Sequence, residues 1–275
     1  MKFFYVLLLS SISLLAPFFL KSDFKIPPSY REIGYNPSWE MPCKNKEIFN
    51  QTFTYLTHGN QSTVFTSEDG KYVLKIFRYN RTRFTLLQNL KQWCAKKLGK
   101  KPKADLFTKA IKTFTAAHIA CNEAKEFSQA IYCHLNLTEN QLPIVKLIKD
   151  KTYHIPLDKT RFVLQKKAEP FKETLQAARA NPEQMHQLIE SWVNLLVERS
   201  AMGIRNADPN LGPNFGFIGA KAVEIDFGNY RKMPQSEAEI EQYFVRFEDW
   251  LKANAPEYIN YLKDLRTKTV FSTLR

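Results

Sequence analysis

A glycine-rich segment interrupted by prolines, in the second half of the chain, constrains the fold most strongly. The stretch GIRNADPNLGPNFGFIGAKAVEIDFGNYR, residues 203–231, holds five of the nine glycines and places Asp208 and Asp226 eighteen positions apart. Pro209 and Pro213 rule out continuation of the preceding helix into this segment. The segment therefore predicts a rigid loop carrying Asp208, then the short strand KAVEI, then a second tight turn carrying Asp226.

The two loops contain the oxygen ligands that magnesium prefers. Asn210 and Asn214 follow Asp208 in the first loop, and Asp226 stands two residues before Gly228 in the second. Carboxylate and amide oxygens on adjacent loops suit a Mg²⁺ ion that shares its coordination with phosphates. Aspartate and asparagine are also common turn residues, so a purely structural role remains an alternative at this point.

The elements around this segment predict an α+β protein. Strand-like sequence comes early, as STVFT and KYVLKIF joined by the turn SEDG, and then as LPIVKLI and TRFVLQK. Helical spacing covers residues 105–135. A second helix runs from its cap at Asn181 to Gly203, and a third begins at a capping box of Ser236 and Glu239. Strands early and helices late indicate two lobes.

The length and the net charge of the chain indicate a globular protein with anionic partners. The chain has 275 residues, enough for one large domain in two lobes, and 44% of them are hydrophobic, as in a globular protein. A net charge of +13 favours anionic partners such as phosphates, nucleotides and acidic lipids. The four cysteines have no CxxC spacing, which argues against a zinc site.

Two further segments complete an ordered set of motifs. HGNQSTVF, residues 58–65, puts Gly59 in a turn between strands, where backbone N–H groups can approach an anion. Lys75 in YVLKIF shares a strand face with Val73, which places a cation beside an apolar patch. A glycine loop, a strand lysine, a helix glutamate, the Asp208 loop and DFG at 226–228 together resemble the protein-kinase-like phosphotransferase superfamily over residues 52–231.

The resemblance implies a two-lobed fold, with an antiparallel sheet and one helix in an N-lobe (46–170) and a mainly helical C-lobe (171–275). It implies that Asp208 is catalytic and that Asn214 and Asp226 hold Mg²⁺. FVLQKKAEPF resembles the hinge strand that bonds to adenine, around Gln165 and Lys167. Together with the glycine loop, the strand lysine and the helix glutamate, the resemblance implies these ATP-binding residues: Gly59, Val64, Val73, Lys75, Glu126, Gln165 and Lys167. Glu126 is favoured over Glu123 as the ion-pair partner of the lysine.

The chain departs from the family pattern at three positions. Asn206 and Ala207 replace the usual histidine and arginine, and Asn214 lies six residues after Asp208, where the family has five. No APE motif follows DFG, which favours a lipid, glycan or other small molecule as the phosphate acceptor. The alternatives are a catalytically inactive pseudokinase that acts as a membrane-bound scaffold, and an exported protein with a binding role.

The N-terminus predicts a membrane attachment. Residues 3–20 are uncharged and long enough to span, so residues 1–22 form an anchor or an uncleaved signal segment, with a cleaved signal peptide as the alternative. Residues 23–45 are a tether, and the kinase-like domain lies in the cytoplasm, where ATP is available.

A basic insert follows the strand lysine. The insert, 78–104, carries six lysines between 91 and 103 and Trp93 on its apolar side, which predicts contact with anionic lipid. A helix packed on the lobe with a solvated lysine face is the alternative. Nucleic-acid binding is not expected, because aromatic residues do not alternate with the basic ones.

Overall fold

A computed structural model of the protein describes residues 33–78 and 106–273, together with positions 90, 93, 94, 97 and 99. Its strands are β1 Thr52–His58, β2 Ser62–Ser67, β3 Tyr72–Phe77, β4 Ala130–His134, β5 Ile144–Ile148, β6 Thr152–Pro156, β7 Phe162–Lys166, β8 Glu169–Pro170, β9 Ile204–Arg205, β10 Phe215–Ile218, β11 Lys221–Glu224 and β12 Arg231–Lys232. Its α-helices are α1 Leu106–Asn122, α2 Lys125–Ser128, α3 Phe171–Ala178, α4 Pro182–Ala201, α5 Leu211–Asn214, α6 Glu237–Asn254 and α7 Ile259–Thr273. Short 3₁₀ turns occupy Pro37–Trp39, Lys46–Phe49, Leu157–Lys159 and Pro256–Tyr258. The predicted α+β class is confirmed.

The main sheet is mixed rather than antiparallel. Its seven strands lie in the order β4-β7-β3-β2-β1-β5-β6, and β1 pairs with β5 in parallel while the other neighbours are antiparallel. The hairpin β5–β6 is the cause, because it follows β4 at one edge of the sheet and joins the opposite edge. Phe53 of β1 faces Leu147 of β5 in that pairing, and both side chains are buried. The prediction of an antiparallel sheet was therefore wrong at this pair.

Each face of the sheet packs into a different hydrophobic cluster. Leu74 and Ile76 of β3 lie in a cluster confined to the strands and the nearby 3₁₀ turns. Phe77, on the opposite face of the same strand, belongs to a larger cluster that includes α1 and continues through α4, α6 and α7. This alternation is the period of two that a strand buried on both faces requires.

The predicted helix ends differ in how well they match. Asn181 caps α4 through a hydrogen bond from Gln184 N, and Ser236 with Glu239 forms the predicted capping box of α6. The helix predicted over 105–135 is shorter: α1 stops at Asn122, and the chain passes through α2 and a left-handed residue, Gln129 (φ 52°), into β4. The sequence AIYCH is rich in residues that favour strands, which explains the change of element.

Part of the predicted tether packs against the core. Ile33 and Trp39 are buried, the Trp39 ring packs edge-on against Phe114 of α1 at 5.7 Å, and Arg161 donates to the Ile33 carbonyl. Residues 33–39 are therefore fixed to the domain and do not form a free tether. The predicted anchor, 1–22, lies outside the described residues, as does most of the insert 78–104. Within the described ranges, no helix has the length and apolarity to cross a membrane.

Candidate functional site

The loop that carries Asp208 is fixed through its backbone. α4 ends at Ala201, and Gly203, whose φ of 66° suits glycine, leads into β9, which the loop follows. The Tyr243 hydroxyl donates to the carbonyls of Asn206 (2.6 Å) and Asp208 (3.2 Å), and Asp208 N donates to Asn206 Oδ1. Among the described residues, the Asp208 carboxylate accepts only the Asn210 N–H, at 3.3 Å. The second oxygen of this carboxylate accepts no hydrogen bond from the described residues.

The Asp226 turn follows β11 directly. Asp226 is exposed and accepts the Gly228 N–H at 3.0 Å, while Phe227 is buried beneath it. Asn214 connects this turn to the Asp208 loop: its Nδ2 donates to the Asp208 carbonyl (2.9 Å), and its own carbonyl accepts Ile225 N (2.7 Å) and Asp226 N (3.3 Å). The two loops are therefore adjacent, as the sequence predicts. Asn214 is the residue that joins them.

The same turn receives Lys75 from β3. Its ammonium group donates to the Ile225 carbonyl and lies 5.1 Å from the centre of the Phe227 ring. Burial lowers the pKa of Lys75 to about 8, and the nearby Asp226 carboxylate opposes that shift. The structure thus brings together four of the predicted site residues: Lys75, Asp208, Asn214 and Asp226.

The structure does not bring the predicted glutamate to Lys75. Glu126 pairs with Lys221 at 3.2 Å and its side chain is 70% exposed, while Glu123 pairs with Lys232. Both glutamates lie beyond the end of α1, so the shorter helix explains the error. Among the described residues Lys75 forms no ion pair. The α1 side chain that interacts electrostatically with it is the buried Cys121, a thiol whose pKa is raised by burial.

The turn between β1 and β2 reaches the Asp226 turn. Gly59 N donates to Ser62 O (2.9 Å), and Arg78 binds the turn through the carbonyls of Gly59 and Gln61. The Gln61 carboxamide lies directly on Gly228: a Cβ at Gly228 would stand 2.8 Å from its Cδ and Nε2 atoms. A glycine at 228 is therefore required for this approach.

The remaining predicted contacts lie on the sheet. Val64 faces Lys75 across β2 and β3, and Val73 is buried beside Gln165 of β7. The Gln165 amide donates to the carbonyls of Ser128 (2.5 Å) and Glu224 (3.2 Å), so this side chain ties β7 to β11. Lys167 N already donates to Lys71 O at 2.8 Å. The Gln165 Nε2 and Lys167 N–H donors are thus both engaged within the protein, whereas Gln165 Oε1 is buried and accepts no hydrogen bond from the described residues.

A buried ion pair supports both loops, and sequence analysis did not predict it. Glu224, the residue two before Asp226, is fully buried and lies 3.2 Å from Arg199 of α4. Its carboxylate also accepts hydrogen bonds from Asn206 Nδ2 (3.3 Å) and the Tyr230 hydroxyl. Burial raises the pKa of Glu224, and the charge of Arg199 opposes the shift. An acidic residue beside the apolar pair Ala222 and Val223 in the strand KAVEI was the available signal.

The side chains of the site suit a metal ion that takes part of its coordination from the substrate and from water. In the described part of the chain, no group of three His, Cys, Asp or Glu side chains is arranged to hold an ion. Asp226 offers an exposed carboxylate, and Asn214 Oδ1 accepts no hydrogen bond from the described residues. One carboxylate and one amide oxygen fit a Mg²⁺ whose other ligands are phosphate and water.

No protein-family model matches the chain, and no curated protein matches it. Among solved structures, the chain is similar to Rv3197 from Mycobacterium tuberculosis, solved in complex with erythromycin, with 18% sequence identity and a TM-score of 0.40. The similarity covers 82% of this chain, which spans little more than half (56%) of that protein.

Proposed function

We propose that the protein is a membrane-anchored, kinase-like phosphotransferase that moves the γ-phosphoryl group of ATP to a hydroxyl of a lipid, glycan or other small molecule. One observation carries the proposal. Asn214 joins the Asp208 loop to the Asp226 turn, and Lys75 donates to the carbonyl one residue before Asp226. A cation, two carboxylates and an amide therefore meet at one place, which is the set that phosphoryl transfer requires.

The order of elements supports a two-lobed kinase-like fold. The lysine lies on the third strand, the described helices α1 and α2 come between it and β4, and β7 leads into a C-terminal part built mainly from α3, α4, α6 and α7. The strand β11 then presents Asp226 beneath the sheet that carries Lys75. In this proposal the nucleotide lies between the two parts, with its phosphates at Lys75.

Each residue has a chemical role in the proposed reaction. Asp208 orients the acceptor hydroxyl and accepts its proton as the new P–O bond forms and the bond between the γ-phosphorus and ADP breaks. Lys75 holds a phosphate oxygen, which would replace the Ile225 carbonyl as its partner. Mg²⁺, held by Asp226 and Asn214, would neutralise the phosphate charge that develops. Gly228 keeps the turn open to the Gln61 carboxamide.

A pseudokinase scaffold is the second candidate, and a specific observation favours it. Lys75 has no carboxylate partner among the described residues, because Glu123 and Glu126 pair elsewhere. Protein kinases require a lysine–glutamate ion pair for catalysis. A chain without that ion pair is expected to bind nucleotide but to transfer its phosphate slowly or not at all.

Nucleotide binding tests the proposal directly. Mg-ATP at a hundred times its Kd should add about 2.7 kcal/mol to the free energy of unfolding, because it binds the folded state. Lys75→Ala and Asp226→Ala should abolish the rise in Tm. The matched controls Lys252→Ala and Asp249→Ala, an exposed pair on α6, should keep it. A wild-type chain that shows no rise with millimolar Mg-ATP refutes both the enzyme and the nucleotide-binding scaffold.

Membrane attachment is a separate part of the proposal. It is supported by the length and lack of charge of residues 3–20 and by the lysine cluster between 91 and 103. The full chain should stay in the membrane fraction after a carbonate wash, with its N-terminal residues intact by mass spectrometry. A mature N-terminus near Pro17 or Lys21 would instead support export, which conflicts with the use of ATP.

A further inference from the structure

Two arginines face each other beside the candidate site. β9 and β12 form a two-stranded sheet in which Arg205 is paired directly with Arg231. β9 comes three residues before Asp208, and β12 begins five residues after Asp226. Like charges directly opposite in a sheet are destabilising. The pairing therefore needs an explanation at a position so close to both aspartates.

The available carboxylate neutralises only one of these arginines. Glu239 accepts hydrogen bonds at 2.9 Å from Arg205 Nε and also receives Arg205 Nη2, so this pair is bidentate. The same carboxylate accepts Ser236 N at the start of α6. Its oxygens are thus already occupied, and Arg205 has a complete ion pair.

Arg231 is held in place without a counter-ion. Its Nη1 donates to the carbonyls of Tyr230 (2.5 Å) and Lys112 of α1 (3.5 Å), and the side chain is half-buried. No described carboxylate pairs with it. Burial, with a further contribution from the charge of Arg205, lowers the pKa of Arg231. Three of its five N–H donors remain for a ligand, and the two carbonyl contacts fix the direction of the fork.

We propose that Arg231 binds a phosphate group of the acceptor molecule, so that the acceptor is a phosphorylated small molecule or lipid. The inference rests on the proposed phosphotransferase function. Three residues of chain span at most about 11 Å, and paired antiparallel residues lie about 5 Å apart, so the Arg231 Cα lies within roughly 16 Å of the Asp208 Cα. An acceptor whose phosphate lies several bonds from its hydroxyl can contact both side chains across that distance. Guanidinium groups favour such bidentate phosphate contacts.

The unfavourable arginine pair gives this proposal a distinctive test. Arg231→Gln in the full chain removes the repulsion, so its Tm without phosphate should rise by about 1–3 °C. Inorganic phosphate at ten times its Kd should raise the wild-type Tm by about 3–6 °C and the Tm of Arg231→Gln by much less. Arg231→Lys keeps the charge but loses the fork, so it should show a reduced phosphate shift. Arg246→Ala, an exposed arginine on α6, is the control and should behave as wild type.

Three outcomes would overturn the inference: no phosphate shift in the wild type, an equal shift in Arg231→Gln, or a shift lost in Lys75→Ala and kept in Arg231→Gln. The third outcome would mean that phosphate binds at Lys75, in the nucleotide site. It would support the proposed function and refute phosphate binding by Arg231. If the Mg-ATP shift fails but the phosphate shift depends on Arg231, the anion site stands and the kinase proposal falls. Glycerol phosphate and phosphatidic acid vesicles, each compared with its phosphate-free form, then show whether the source is soluble or a lipid headgroup.

Discussion

Burial makes the charge of Lys75 costly. Its ammonium group is desolvated, and its described neighbours are the Ile225 carbonyl, the Phe227 ring, the Cys121 thiol and the more distant Asp226 carboxylate. Lys75→Met keeps the length of the side chain and removes the charge. We expect this variant to be more stable than the wild type at neutral pH in the absence of nucleotide, because a buried charge without a full partner opposes folding.

The magnitude follows from the lowered pKa. Lowering the pKa of Lys75 from its usual 10.5 to about 8 corresponds to about 3 kcal/mol at pH 7. The unfolded chain binds more protons than the folded one between pH 8 and 10.5, so stability rises with pH across that window. By pH 9.5 about 2 kcal/mol of the cost should be recovered. Lys75→Met has no such group and should not gain this amount.

Urea denaturation at pH 7 and at pH 9.5 measures the effect. The other lysines and the tyrosines titrate in both proteins. The gain in free energy of unfolding from pH 7 to pH 9.5 in the wild type, minus the same gain in Lys75→Met, is therefore the contribution of Lys75. The matched control is Lys252→Met, because Lys252 is exposed and paired with Asp249 on α6. Parallel pH profiles for wild type and Lys75→Met would refute the argument that Lys75 is desolvated beside the Asp226 turn.

Three further predictions concern the loops. Asp208→Asn should keep the Mg-ATP shift and lose phosphotransfer; equal turnover in the two proteins would contradict a catalytic role. Gly228→Ala should lower the free energy of unfolding by about 1 kcal/mol, because the new Cβ displaces the Gln61 carboxamide, and Gln61→Ala should restore it. A loss that persists in the double variant would contradict that contact. Glu224→Ala should cost about 3–5 kcal/mol in urea denaturation, since it leaves Arg199 buried and unpaired, and Arg199→Met combined with Glu224→Leu should cost less. Equal costs would contradict the ion-pair argument.

Local sequence signals predicted most elements of the fold. The Asn181 cap, the capping box of Ser236 and Glu239, and the strand patterns around residues 52–77 all correspond to elements in the structure. These signals act within a few residues, so a sequence displays them. The parallel pairing of β1 with β5 was missed because it joins strands about ninety residues apart. No local pattern encodes which sheet edge a hairpin will join.

The candidate site was predictable where one segment carried the information. Asp208, Asn214 and Asp226 lie within nineteen residues, and the structure joins their loops. The glutamate partner was not predictable in this way, because it depended on where α1 ends, and helix ends are the least reliable feature of a periodic pattern. Burial, rather than a motif, determines the contacts of Gln165, whose amide serves the carbonyls of Ser128 and Glu224.

The glycines between the two aspartates have a physical explanation in how this site is built. Gly216 lets β10 approach β8 so closely that a Cβ would stand 2.6 Å from the Glu169 carbonyl, and Gly228 admits the Gln61 carboxamide. Backbone and buried side chains make the bonds that hold the loops: Asn214 and Asn206 bridge the two segments, and Glu224 anchors Asn206 to Arg199. Each aspartate carboxylate accepts one local hydrogen bond, from the N–H two residues ahead, as turn aspartates do. Its second oxygen accepts none from the described residues, because main-chain groups and buried amides make the other bonds that hold the loops. In the proposed function that second oxygen binds the metal at Asp226 and the acceptor hydroxyl at Asp208, on a frame that the buried bonds keep rigid.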